Sequence, residues 1–227
     1  MVREQSGDVD VADGHERFDP EAPAQDAAEL VDRHAGRMRS NRRIPVRSPE
    51  GVLEVGIVPG RNSDDSPLVT EIVELVNRVY AEAEKGLWRD GTRRTDARQV
   101  ATAIDAGELA LARLDDRIVG AVRIQQLDRG VGEFGMLVGS PEHRGVGIGS
   151  ALVDFAETWA RHEGLSEMQL ELLVPRLWTH PVKEFLREWY THIGYRQVRT
   201  GRLADIYPTL EPQLATPCDF VIYRKIL

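Results

Sequence analysis

The chain has 227 residues, a formal net charge of −8, six histidines and a single cysteine, Cys218. That length supplies one full hydrophobic core, and the acidic balance argues against nucleic acid as a partner while mildly favouring cationic substrates such as amines. A lone cysteine forbids an internal disulfide and suits a reducing, cytoplasmic compartment; no segment approaches the roughly 18 apolar residues of a membrane span, and the histidines lack metal-ligand spacing, so no metal and no membrane are expected.

Residues 1–47 follow a regime of their own. Residues 1–32 carry ten acidic and two basic side chains, whereas 33–47 carry six arginines and no acid. Such segregated charge with few large apolar residues reads as a disordered N-terminal extension. A weak helix over 25–39 is suggested by Ala27, Leu30, Val31, His34 and Met38, and a dispensable extension is the simpler reading beside a functional arm. The globular domain is accordingly placed at 48–227, with a charge of −6.

Within that domain, 53–58 reads as a short strand, and Val69, Ile72, Val73, Val76, Val79 and Tyr80 make a helical stripe. Leu109 to Leu114 and 118–124, joined by Asp115-Asp116-Arg117, read as a hairpin. An apolar stretch at 134–138 then leads into His143-Arg144-Gly145-Val146-Gly147-Ile148-Gly149-Ser150. Leu152, Phe155, Ala156, Trp159 and Ala160 follow at helical spacing, with Gly164 as the stop. Glycines at a strand-to-helix junction let backbone N–H groups converge, and the helix dipole adds to them, which makes an anion cradle. A nucleoside-triphosphate loop would need Gly-Lys-Ser/Thr where this one has Gly-Ser-Ala, and the spacing also misses the dinucleotide fingerprint. An ordinary glycine-rich turn is the bland alternative.

Residues 168–174 alternate at period two as a strand. Pro181 suits the first turn of a helix that places Val182, Phe185, Leu186, Trp189 and Ile193 on one face and stops at Gly194. A weaker strand at 196–200 and a last one at 220–223 complete the chain. Helices mixed with a hairpin and a closing antiparallel pair point to an α+β (mixed α/β) domain.

Two motifs carry a family resemblance. Arg144-x-x-Gly147-x-Gly149 resembles the [RQ]-x-x-G-x-[GA] signature of the GCN5-related N-acetyltransferase (GNAT) superfamily. Trp189-Tyr190-Thr191-His192-Ile193-Gly194-Tyr195 looks like the aromatic-Tyr element that follows it there, and the likeness covers about 53–227. It implies a central, mostly antiparallel sheet with flanking helices, acetyl-CoA as co-substrate, and acetyl transfer to the amine of a small molecule. The alternatives are a non-catalytic acyl-CoA-binding regulatory module or acetylation of a protein or peptide amine, and a homodimer is an open assembly.

The resemblance also implies roles. Arg144, Gly145, Val146, Gly147, Ile148, Gly149 and Ser150 would hold the coenzyme pyrophosphate, and the backbone of Leu137, Val138 and Gly139 would run along the pantetheine arm, its amides polarising the acetyl carbonyl. Gly139 departs from the branched residue common there. Tyr190 would protonate the leaving thiolate, against a merely packed tyrosine. A lysine-like amine has a pKa near 10, so a base is needed. Glu133 lies at the offset where histone-acetylating members carry theirs, although it also fits an exposed carboxylate at a strand entrance. Lys183 stands where many members have a cofactor-touching asparagine; it either reaches a phosphate or is a solvated lysine. Trp88, Arg93, Arg94, Trp178 and His180 are candidates to line the acceptor site, while Cys218 reads as a small core residue.

Overall fold

A computed structural model describes residues 44–48, 51–128 and 130–227; the expectations for 1–43, including the helix over 25–39, lie outside the described residues. Eight strands, β1 (Ile44–Ser48), β2 (Gly51–Ile57), β3 (Leu109–Leu114), β4 (Arg117–Asp128), β5 (Val131–Gly139), β6 (Glu167–Pro175), β7 (Arg196–Gly201) and β8 (Cys218–Ile226), form one sheet. Their order is β1-β2-β3-β4-β5-β6-β8-β7. Every neighbouring pair is antiparallel apart from β5 and β6. The helices are α1 (Ser66–Ala83), α2 (Ala97–Asp105), α3 (Ile148–His162), α4 (Pro181–His192) and the short α5 (Leu203–Ile206).

Strand β1 reaches into residues that composition groups with the extension, because Ile44 to Ser48 pair with Val55 to Gly51 along the edge of β2. Ile44-Pro45-Val46 is a short apolar break in the arginine run, and β-branched residues favour a paired extended backbone. Helix α2 has no counterpart in the sequence reading. Its apolar face is only Val100, Ala103 and Ile104, too few to stand out as a period, yet Asp96 and Gln99 form a reciprocal capping box at its start. The β3–β4 turn is as the sequence suggests, with Asp115 and Asp116 both left-handed at φ 47° and 67°, the geometry of a tight hairpin.

Two apolar layers enclose the sheet. On one face α1 and α2 pack Ile72, Val76, Val100 and Ile104 over Leu109, Leu111, Ala121 and Val138. On the other, Leu152, Phe155 and Ala156 of α3 and Tyr190 of α4 pack over Ala110, Ile124, Phe134, Met168 and Leu170. The face assigned to α4 needs one correction: Phe185 is 62% exposed, whereas Lys183 is buried. Gly120 fits this second layer for a reason no spacing reveals, since a Cβ there would lie 2.6 Å from Ile148 Cγ2 and 2.8 Å from the Val138 carbonyl.

Candidate active site

The site begins where the two parallel strands part. Strands β5 and β6 each have nine residues, but only Val131 to Glu133 pair with Glu167 to Gln169. Beyond that point β6 pairs with β8 alone, and β5 is turned away by a bulge that sets two residues opposite Val122. Met136 at the bulge has φ 49°, a strained conformation for a residue with a Cβ. From Phe134 onwards the β6-facing edge of β5, including Leu137, Val138 and Gly139, is therefore open to a ligand. Gly139 is tight rather than roomy, because a Cβ there would meet Ile148 Cγ2 at 3.3 Å. Packing against the α3 start accounts for its departure from the family's branched residue.

At the end of this edge the glycine loop enters α3. Gly145 and Gly147 both have φ 87°, and a Cβ on either would find nothing within 4 Å. The glycines thus serve backbone conformation and approach, not internal packing. Val146 and Ile148 turn inward and are buried, so they contribute through backbone groups, while Arg144, Gly145, Gly147 and Ser150 face outward. Gly147 occupies the N-cap of α3 and supplies no capping side chain. The first N–H groups of a 15-residue helix, together with its dipole, are left to an anion. Gly149 is small for another reason, since Trp189 of α4 lies 3.4 Å from where its Cβ would be. The loop therefore fits a pyrophosphate.

Tyr190 approaches the cleft from the same side of the sheet. It packs against Phe134, Trp189 and Tyr195 with ring centroids 6.1, 5.0 and 6.1 Å away. Burial holds its phenol well above the ordinary value, with a smaller contribution from nearby Tyr80. No described residue accepts from its hydroxyl, and the residue as a whole keeps 5% of its surface. Tyr195, by contrast, is anchored: its hydroxyl donates to Glu157 Oε1 at 3.1 Å, and Lys225 Nζ reaches the same carboxylate at 2.7 Å.

Carboxylates line the opposite side of the cleft. Glu133 is 7% exposed, which removes the exposed-entrance reading. Its Oε1 accepts from Gln125 Nε2 at 2.9 Å and its Oε2 from Gln169 Nε2 at 3.1 Å. Burial raises its carboxyl, tempered by those two hydrogen bonds and by Arg123. Two residues further along the same face of β6, half-buried Glu171 accepts from the Tyr207 hydroxyl at 3.0 Å.

The surrounding wall comes from two loops. In the loop after α1, residues 94 and 95 are held by Asn77 of that helix, which accepts from Arg94 N at 2.7 Å and donates to the Thr95 carbonyl at 2.9 Å. Arg94 then lies over the Tyr80 ring, 5.0 Å from its centroid. Between β7 and β8, residues 202–217 fold back onto this loop, with Trp88 bridging Leu214 and Arg89 N donating to the Gln213 carbonyl at 2.8 Å. Leu87, Leu173, Leu203, Cys218 and Phe220 make a small core beneath the junction. Burial pushes the Cys218 thiol up to about 11, as befits a packed side chain.

Lys183 is neither a phosphate ligand nor a solvated lysine. Its Nζ lies 2.6 Å from Glu84 Oε1 in a pair whose side chains are 4% and 7% exposed. Trp88 Nε1 donates to the other oxygen of Glu84 at 2.6 Å. Trp88 is thus a structural tie, while Trp178, 39% exposed, stacks on His180 at 5.2 Å. Tyr80, Glu84, Glu171 and Tyr207 all escape sequence reasoning, since each is an ordinary residue of its own element and only the fold gathers them. Among the described residues no group of three or more His, Cys, Asp or Glu side chains is arranged for a metal, and no helix is long and apolar enough to cross a membrane.

A helix start that fits a phosphate, an open strand edge and a tyrosine with no hydrogen-bond acceptor among the described residues are the features an acyl-coenzyme A-dependent transferase requires. The model of the Acetyltransferase (GNAT) family matches residues 71–184. The chain belongs to this family and is an acetyl-CoA-dependent acetyltransferase. Solved structures share the fold: the PaiA N-acetyltransferase of Thermoplasma acidophilum in complex with coenzyme A is 14% identical, with TM-score 0.57 over 77% of this chain and 99% of that one. Arabidopsis thaliana Naa50 with the bisubstrate analogue CoA-Ac-MVNAL is 23% identical, with TM-score 0.51 over 77% and 99%. An IAA acetyltransferase of Bacillus cereus is 14% identical, with TM-score 0.52 over the same shares. No curated protein matches the chain.

Proposed function

We propose that the protein transfers the acetyl group of acetyl-CoA to the amine of a small, cationic molecule by direct attack in a ternary complex. The observation that carries this reading is the pairing of Tyr190, whose hydroxyl has no acceptor among the described residues, on one side of the cleft with buried or half-buried carboxylates on the other. Backbone N–H groups at Arg144 to Ser150 bind the pyrophosphate, and the open edge at Leu137, Val138 and Gly139 orients the thioester and donates to its carbonyl as negative charge develops. Tyr190, held protonated by burial, donates to the departing sulfur. Glu133 is the carboxylate that the family likeness implies as base, and it faces the acceptor side.

Carboxylates and the aromatic residues Tyr80 and Tyr207 favour an ammonium-bearing acceptor with an apolar part. A peptide amine is the second reading, supported by the fold shared with Naa50, whose bound analogue carries a peptide. The test is thiol release from acetyl-CoA with 2-phenylethylamine, spermidine and a methionine-first pentapeptide as acceptors. Acetylation of the small amines with no activity on the peptide is expected. Activity on the peptide alone would replace the proposal with its second reading, and acetyl-CoA binding with no thiol release from any amine would favour a binding module.

A further inference from the structure

The carboxylate best placed to receive a proton is not the one the family likeness singles out. Glu133 sits at the last paired position between β5 and β6, and both its oxygens already accept from glutamine amides. Each oxygen keeps a second lone pair, but a proton on either would weaken the amide hydrogen bond it already accepts, and both amides favour the ionised form. Glu171 is two residues further along β6, on the same face as Gln169, which advances it about 6.6 Å past the last paired position and into the part of the cleft where β5 and β6 have separated. Its Oε2 accepts from Tyr207, and no donor among the described residues reaches its Oε1.

We propose that Glu171, oriented by Tyr207, takes the proton from the incoming ammonium, and that Glu133 acts on it only as a neighbouring charge. The inference rests on the acetyl-transfer reading above. The ammonium gives one proton to the free Oε1, directly or through a water, and the neutral nitrogen attacks the thioester carbon. The C–N bond forms, the C–S bond breaks, and the second nitrogen proton replaces the one Tyr190 passes to sulfur. Amide and free thiol result, and Glu171 returns its proton to solvent.

The groups facing Glu171 set its titration. Burial and the Glu133 charge raise its carboxyl to about 7, against the Tyr207 hydrogen bond and the positive charges of Arg94 and Arg199. A carboxylate poised there is ionised for half the molecules at neutral pH and returns its proton readily.

The experiment is the pH profile of kcat/KM from 5.5 to 9 with the three amines named above, for the wild type, Glu171→Gln, Glu133→Gln and Tyr207→Phe. Acetyl-CoA calorimetry serves as the check on folding and coenzyme binding. Glu171→Gln should lose at least 100-fold at pH 7 and its acidic limb with it. Glu133→Gln should lose less and shift that limb to lower pH, because a repelling charge is gone; Tyr207→Phe should shift it to higher pH. If Glu133→Gln abolishes the limb while Glu171→Gln keeps it, the proposal is overturned. If the wild type binds acetyl-CoA but acetylates none of the amines, the transfer reading fails on its own terms. Carbon-13 titration of labelled glutamate then tests Glu171 apart from turnover: a carboxyl near 7 that vanishes in Glu171→Gln keeps it as the proton-accepting carboxylate of the cleft for whichever acceptor binds, and its absence overturns the assignment.

Discussion

Replacing Lys183 by methionine tests how the acceptor wall is held. The substitution keeps the length of the side chain and removes its charge, leaving Glu84 at 7% exposure with the Trp88 N–H as its remaining side-chain donor. Burial raises the Glu84 carboxyl, but the charges of Lys183 and Arg94 and the hydrogen bonds from Lys183 and Trp88 outweigh it, so its folded value lies below the unfolded one. Breaking one partner of so buried a pair costs about 3–5 kcal/mol, and at roughly 2–4 °C per kcal/mol for a domain of this size the midpoint should fall by about 6–20 °C. The sign of the pH dependence follows: the wild-type contribution is full above the unfolded pKa of Glu84 and is lost as pH falls through the lower folded value. In Lys183→Met the carboxyl rises instead, so the deficit relative to wild type should shrink in acid. Adding Glu84→Leu should restore part of the stability, since an apolar pair of similar volume has no charge to desolvate, less what the Trp88 N–H loses with its acceptor. Thermal and urea unfolding from pH 4 to 8 would measure this. A single variant within about 1 kcal/mol of wild type at pH 7 would show that the pair does not hold the wall, and a selective loss of acetyl-CoA affinity with stability intact would return Lys183 to the coenzyme.

Three further outcomes are expected. Gly147→Val forces a β-branched residue to φ 87° at an open position, so acetyl-CoA affinity measured by calorimetry should fall at least tenfold with most of the fold retained; unchanged binding would remove the phosphate assignment. Tyr190→Phe keeps the contacts with Phe134, Trp189 and Tyr195 and removes one hydroxyl, so coenzyme affinity should hold while single-turnover transfer slows by roughly 100-fold; full transfer would mean that sulfur takes its proton from water. Gly120→Val should destabilise by about 1–3 kcal/mol or more through contact with Ile148 and the Val138 carbonyl, and denaturant midpoints equal to wild type would show that β4 and α3 separate at no cost.

What the sequence determined by itself was what depends on neighbours in the chain. The glycines at 145 and 147 dictate a left-handed, uncapped entry to α3 because backbone conformation is a local property, and the stripe from Val69 to Tyr80 dictates α1 for the same reason. Trp189-Tyr190 was recognisable because the run to Gly194-Tyr195 resembles a contiguous family element, and Phe134 and Tyr195 pack on Tyr190 in the fold. Tertiary structure alone decided matters of charge and reach. Lys183 and Glu84 are 99 residues apart and Tyr207 and Glu171 are 36 apart, and nothing local marks a lysine on a helix as buried or a glutamate on a strand as facing a cleft. Glu133 shows the same division: its place in the chain suggested a base, whereas the two glutamines that occupy its oxygens arrive from β4 and β6. Hydrogen-bond occupancy and desolvation are set by which strands meet, and that is a property of the folded sheet.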